Sequence, residues 1–329
     1  MDKVLFTLVF LKNNLFSSMK ICLTMHPQKT AFGGGNQFAL NLVNYLEKSG
    51  VKVVYELEPG INAIFIMDPR ILKFNKIDLP QIINYKKNNP NVKVIHRVND
   101  CDKPRGEIDN LDKHLMDAFK IDDLIIFVSD WTKNYFIKEK KCDVQKKSIV
   151  INNGCNRNYF YPNFQKKLSN KIKIITHHWS SNAFKGKDIY IKLDEWIKDK
   201  DYEFIYIGRE FPGTPKNSKV IGPFFGLELA NHIREGDIYI SASQWENCPM
   251  HVVEAFACGL PVLYYENIGG GVEIGKSHGG ESFKDFEELT QKLEIIKNNY
   301  DEYKKKINHK ILDSDLCSKK YTEEILKLK

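Results

Sequence analysis

Two carboxylates eight residues apart, Glu246 and Glu254, are the side chains here best placed to act on one ligand. Glu254 is the only formally charged residue in PMHVVEAFAC, which is apolar on nearly every face when wound as a helix. A carboxylate taken out of water needs hydrogen-bond donors, a cation or a proton. Glu246 stands in the polar loop SQWENC just before that helix, so both carboxylates can face one crevice. The residue types also allow a structural role, with Glu254 capping neighbouring backbone and Glu246 solvated.

The elements that must hold them read as a strand, loop, helix, turn and strand over residues 237–265. DIYISA, beginning at Asp237, is a compact β-rich run suited to a buried parallel strand. Pro249 falls where a first helical residue is expected, since its missing N–H costs nothing there. Gly259 supplies the left-handed stop and Pro261 prevents resumption before the strand PVLYY. A unit of this kind brings its loop and helix N-terminus to the carboxyl edge of a sheet, where α/β proteins bind ligands.

This stretch resembles the donor-sugar motif of retaining glycosyltransferases of the GT-B fold, the group called family 4. Glu246 and Glu254 form E-x7-E, continued by Glu254-Ala-Phe-Ala-Cys-Gly259-Leu-Pro261-Val. The resemblance implies that Glu254 holds the ribose hydroxyls of a nucleotide sugar and that Glu246 lies against the transferred sugar. Backbone amides after Glu246, at Asn247, Cys248 and Met250, are then expected to contact sugar hydroxyls. The usual glycine of the motif is Pro249 here, which removes one amide.

Other motifs extend the reading. Gly33-Gly34-Gly35 precedes a helix, where glycines let backbone approach a ligand and free N–H groups can meet a phosphate. Phe38 occupies the third glycine position of a dinucleotide fingerprint, which argues against that alternative. In the family, Gly34 and Gly35 resemble a loop facing diphosphate and acceptor. His96-Arg97-Val98-Asn99-Asp100 closes the strand NVKVIHRV. The family often has a histidine at this point, so His96 is assigned beside the sugar and Arg97, Asn99 and Asp100 to the acceptor side. A satisfied structural histidine is the alternative. Asp100-Cys101-Asp102 also spells D-x-D, the metal signature of the other glycosyltransferase fold, GT-A. The remaining motifs favour GT-B and no metal. Lys185-Gly186 matches the family's R-x-x-x-x-K-G diphosphate loop, but Ser180 and its neighbours stand where the arginine would be. Arg209, Gly222 and Phe224 follow neighbouring strands and, by resemblance, flank the nucleoside.

Length and composition set the bounds. The 329 residues, 42% hydrophobic and 28% charged, suit two globular domains of ordinary size. The net charge of +7 favours anionic small molecules or a membrane surface, while the scattered lysines and the lack of any nucleic-acid-binding pattern argue against nucleic acid. Seven cysteines without a C-x-x-C pair argue for a reducing, cytoplasmic setting, with peripheral membrane contact left open. Strand and helix alternation predicts an α/β protein with two Rossmann-like domains whose parallel sheets face a central cleft. Expected boundaries are an extension at 1–18, dispensable for folding, an acceptor domain at 19–162 and a nucleotide-sugar domain at 163–310. A final helix at 311–329 is expected to pack back on the first domain.

The resemblance therefore implies a retaining, metal-independent transferase using a UDP- or GDP-linked sugar as donor substrate, without a further cofactor. Its acceptor would be a glycan, a lipid-linked molecule or a small molecule. A GT-B nucleotide-sugar epimerase and a non-catalytic sugar-nucleotide or glycan-binding protein are the alternatives.

Overall fold

Short β-branched runs separated by amphipathic segments build two parallel sheets. The structure, a computed structural model, describes residues 19–29, 33–106, 110–180, 182–210, 213, 216–266, 269–309 and 313–328. The expected extension at 1–18 lies outside the described residues.

The first sheet contains β1 (Lys20–Leu23), β2 (Lys52–Val54), β3 (Ala63–Ile66), β4 (Lys93–Val98), β5 (Leu124–Phe127) and β6 (Ser148–Val150), in the order β2-β1-β3-β4-β5-β6. The second contains β7 (Ile172–His178), β8 (Tyr202–Gly208), β9 (Lys219–Ile221), β10 (Ile238–Ser241), β11 (Val262–Tyr265) and β12 (Glu281–Phe283), in the order β12-β11-β10-β7-β8-β9. All pairings are parallel. The central strands AIFI, LIIF and IYIS are buried throughout, as strands covered by helices on both faces must be.

In the first half the helices are α1 (Gly33–Lys48), α2 (Leu79–Asn88), α3 (Leu111–Phe119) and α4 (Asp130–Asn134), the last running into a π-turn at Tyr135–Glu139. The second half carries α5 (Lys187–Trp196), α6 (Gly226–Glu235), α7 (Met250–Ala257), α8 (Gly270–Ser277), α9 (Phe286–Asn298), α10 (Tyr300–Lys306) and α11 (Ser314–Leu326). Strand order reverses between β1 and β3 in one sheet and between β7 and β10 in the other. Crevices at the carboxyl ends of such switch points are where open α/β sheets take ligands.

Two local readings shift. The charged tail reads as one helical stretch, but α10 ends at Lys306 and α11 starts afresh behind Asp313, whose carboxylate accepts from Asp315 N–H at 2.7 Å and Leu316 N–H at 3.1 Å. The run VKVVYELE gives only the three-residue strand β2. Helix α11 buries Cys317, Tyr321 and Ile325 in the core of the first sheet, with the Tyr321 ring 4.9 Å from Phe38 and 5.9 Å from Phe65. All seven cysteines are free thiols and six are buried. Among the described residues no helix is long and apolar enough to cross a membrane.

Candidate active site

The carboxyl edges of the two sheets enclose a cavity of about 510 Å³. Glu246 and Glu254 both line it. Pro249 is the residue just before α7 rather than its first member, with φ −71° and ψ 114°, so α7 begins at Met250. Gly259 adopts φ +78° directly after the helix, as its sequence position predicts.

Each carboxylate has a basic partner. Lys185 Nζ lies 2.6 Å from Glu246 Oε1. That lysine ends a short 3₁₀ turn at Ala183–Lys185, and Gly186 follows at φ +81°. A Cβ at residue 186 would stand 2.2 Å from the Ala242 carbonyl oxygen, so only glycine lets this loop press against the end of β10 and bring Lys185 to Glu246. His177 Nε2 lies 2.8 Å from Glu254 Oε2. The Tyr239 hydroxyl accepts from the His177 backbone N–H at 3.1 Å and lies 3.0 Å from His177 Nδ1, which holds the ring in place. Nε2 is thus the ring nitrogen that faces the carboxylate.

Two more imidazoles stand beside this pair. The ring centroid of His251 is 4.7 Å from that of His178 and 6.0 Å from that of His177. His251 Nε2 is 2.8 Å from Ser241 Oγ and its Nδ1 is 4.0 Å from Glu246 Oε1. The Tyr190 hydroxyl accepts from Ala242 N–H and Thr176 and donates to His178 Nε2 at 2.7 Å. Burial holds both His178 and His251 well below the usual histidine range, and the nearby Lys185 charge adds to it. Below about pH 6.5 the unfolded chain gains protons at these positions that the native state refuses, so stability falls as pH drops through that value. Melting temperatures between about pH 7.5 and about pH 5.5 should show this decline, and His251→Asn should flatten it. A flat wild-type profile would remove the imidazole cluster as its source.

The structure brings most of the sequence-assigned residues to one cavity and moves others away. Gly34, Gly35, Arg97, Asn99, Asp100, Ser180, Lys185, Phe224, Asn247, Cys248 and Met250 line it with the two glutamates. His96 does not, which corrects its assignment beside the sugar. It sits two residues before the end of β4, fully buried, with Nδ1 2.9 Å from Asp122 Oδ2 and its ring packed on Phe119 under α3. The residues beyond the strand end, Asn99 and Asp100, reach the cleft instead. Arg97 points to the opposite face of the sheet, where its guanidinium lies 3.9 Å from the Phe38 ring centroid and Nη2 donates to Asn153 Oδ1 at 2.8 Å. Arg209 and Gly222 lie off the cavity wall. Arg209 stacks on Trp179 at 4.0 Å, and the residues after Gly222, Pro223 and Phe224, take the wall position.

The D-x-D carboxylates part company. Asp102 turns inward and accepts from Leu111 N–H at 2.7 Å and Asp112 N–H at 3.1 Å, capping α3. Asp100 Oδ2 accepts from Arg105 Nε at 2.8 Å; burial pushes its carboxyl up, and the Arg105 charge opposes that. No cluster of three or more histidine, cysteine, aspartate or glutamate side chains able to hold a metal occurs among the described residues. Residues not picked out from the sequence include His177, His178, His251, Asn153 and Arg105. The His177-His178 pair at the end of the run KIKIITHHW was the available signal, since it closes a predicted strand just before the Lys185 loop.

Facing parallel sheets, a cleft between their carboxyl edges and a carboxylate-bearing helix at its floor define the GT-B fold. Residues 213–319, which carry both glutamates, match the family described as Glycosyl transferases group 1. A curated relative, a probable sucrose-phosphate synthase of Thermosipho melanesiensis, is 29% identical over 213 residues, covering 56% of this chain and 48% of the relative. The match thus spans about half the length of that relative. Among solved structures, Alr3699/HepE of Anabaena, in complex with UDP and glucose, superposes with a TM-score of 0.72 at 14% identity, over 94% of this chain and 100% of that one. Sucrose-phosphate synthase of Thermosynechococcus elongatus gives 0.68 at 14% identity, over 94% and 99%. At such identities the structural likeness speaks to the fold.

Proposed function

We propose that the chain is a retaining glycosyltransferase that moves a sugar from a nucleoside-diphosphate donor to an acceptor hydroxyl. The observation that carries this reading is the pairing of Glu246 with Lys185 and of Glu254 with His177 on one cavity wall. Glu254, held by His177 through one carboxylate oxygen, is suited to accept from the two hydroxyls of a ribose. Lys185 beside Glu246 places a cation where the diphosphate joins the sugar. Breaking that bond builds negative charge on the leaving phosphate, which Lys185 and the N–H groups opening α1 and α7 can stabilise. The departing phosphate oxygen is then the base nearest the acceptor hydroxyl on the same face, which accounts for retention without a protein nucleophile. HepE has been solved with UDP-glucose, so UDP-linked sugars are the first donors to try, GDP-linked ones the next.

Thermal-shift screening of nucleotide sugars should find a donor, because a ligand that binds the native state raises its apparent stability. Transfer or slow hydrolysis of that donor should follow, and should survive EDTA. Loss of activity on chelation, restored by manganese, would assign the charge-neutralising role to a metal. Binding without any turnover would identify a binding protein, and sugar isomerisation without an acceptor would identify an epimerase.

A further inference from the structure

The loop Glu246-Asn247-Cys248 belongs to the second domain by chain order, yet much of its polar anchorage comes from the first. Asn247 is buried, and its Nδ2 donates to Asp100 Oδ1 at 3.2 Å. Its Oδ1 accepts from the Thr132 hydroxyl at 3.1 Å and the Cys101 thiol at 3.4 Å. One residue on, the Cys248 carbonyl accepts from Asn153 Nδ2 at 2.9 Å, and Asn153 N–H donates to Cys248 Sγ at 3.3 Å. Arg97 steadies Asn153 in turn. From its own domain the loop backbone is tied by Gly270 N–H to the Glu246 carbonyl at 2.8 Å. The Glu246 side chain goes to Lys185, in its own domain.

We propose that Asn247 is a positioning residue through which the first domain sets the Glu246 carboxylate, so that the sugar is presented for transfer only when the cleft is closed. The inference rests on the glycosyltransferase reading above. A direct donor contact through this amide is poorly served by the geometry. Its oxygen already accepts two hydrogen bonds and one of its two N–H groups is used, so one donor is left for any ligand. All three of those partners come from the first domain: Asp100 and Cys101 after β4, and Thr132 in α4. Opening the cleft would therefore strip the side chain of every one at once. The loop would keep its Gly270 tie and Glu246 its Lys185, but the Asn247 side chain would lose all three of these hydrogen bonds. Closure that completes a catalytic constellation in this way couples acceptor-side contacts to chemistry at the donor.

The test compares wild type, Asn247→Ala, Thr132→Val and the double variant, each checked by thermal melting. Transfer kcat and the affinity for UDP or GDP, whichever raises the wild-type melting temperature, are measured for all four. The expected result is a fall in kcat of about tenfold for Asn247→Ala, with nucleoside-diphosphate affinity held within about twofold. Thr132→Val should lower kcat in the same sense, and the double variant should be no worse than Asn247→Ala, because both remove one interaction. Equal losses of affinity and kcat, strictly additive losses, or unchanged kcat would overturn the proposal. Small-angle X-ray scattering of the nucleotide-saturated proteins separates this inference from the reading beneath it. If wild type binds the nucleotide but turns nothing over, the activity reading fails. The latch then stands only if wild type compacts on binding and Asn247→Ala compacts less; identical scattering overturns it.

Discussion

Replacing Glu246 by glutamine should slow sugar transfer by about 10²–10³-fold while leaving nucleoside-diphosphate affinity within about twofold. The amide keeps the volume of the side chain and can still accept from Lys185. It removes the negative charge that faces a sugar acquiring positive character as the bond to the phosphate breaks, an interaction stronger in the transition state than in the ground state. Because Lys185 lies 2.6 Å from that carboxylate, the substitution also frees its ammonium from the pair. The diphosphate then meets a less neutralised cation, so any change in product affinity should be toward tighter binding. Steady-state transfer kinetics alongside calorimetric titration with the nucleoside diphosphate check both halves. A parallel loss of affinity would move Glu246 from the sugar to the nucleotide.

The reverse pattern is expected at Glu254. Glu254→Gln should weaken nucleoside-diphosphate binding by about 10–100-fold, since hydrogen bonds to a charged acceptor are worth roughly 1.5–3 kcal/mol each. His177 Nε2 can hydrogen-bond with the amide as it does with Glu254 Oε2, so the buried scaffold beneath the site should survive. Turnover at saturating donor should change less than affinity. Titration with the free nucleoside diphosphate tests this without any need for an acceptor. An affinity that stays at the wild-type value would leave Glu254 a structural partner of His177 and nothing more.

How much of this was legible beforehand depended on whether the signal was local. The strand, loop, helix and stop around Glu246 and Glu254 are written in consecutive residues: the apolar run, the proline at the helix entry, and the glycine at φ +78°. So is the Lys185-Gly186 turn. His96 was misplaced for a reason that periodicity alone does not resolve. Neighbouring residues on a strand face opposite sides, and the strand end could not be fixed to the residue. With β4 ending at Val98, His96 falls beneath the edge on the α3 side, and Asn99 and Asp100 become the groups at the cleft. The three-imidazole cluster joins residues some seventy positions apart, and Asn247 meets partners more than a hundred positions upstream. Such pairings depend on how one sheet docks on the other, which no window of sequence contains. Arg97, assigned to the acceptor side, does line the cavity, and its partners Phe38 and Asn153 are likewise distant in sequence.

Helix α11 has a consequence for the order in which the molecule can be made. Tyr321 and Ile325 belong to the core beneath β1, β3 and β4, packed with Phe38, Leu42 and Phe65. During synthesis the first sheet emerges early, but that apolar surface stays uncovered until α11 has emerged from the ribosome. The second sheet, by contrast, has all its strands and the helices between them before α11 exists. Vectorial synthesis thus favours completion of the second domain while the first still waits for its final layer, and a nascent chain stalled before residue 314 would expose a sticky half-built domain to chaperones.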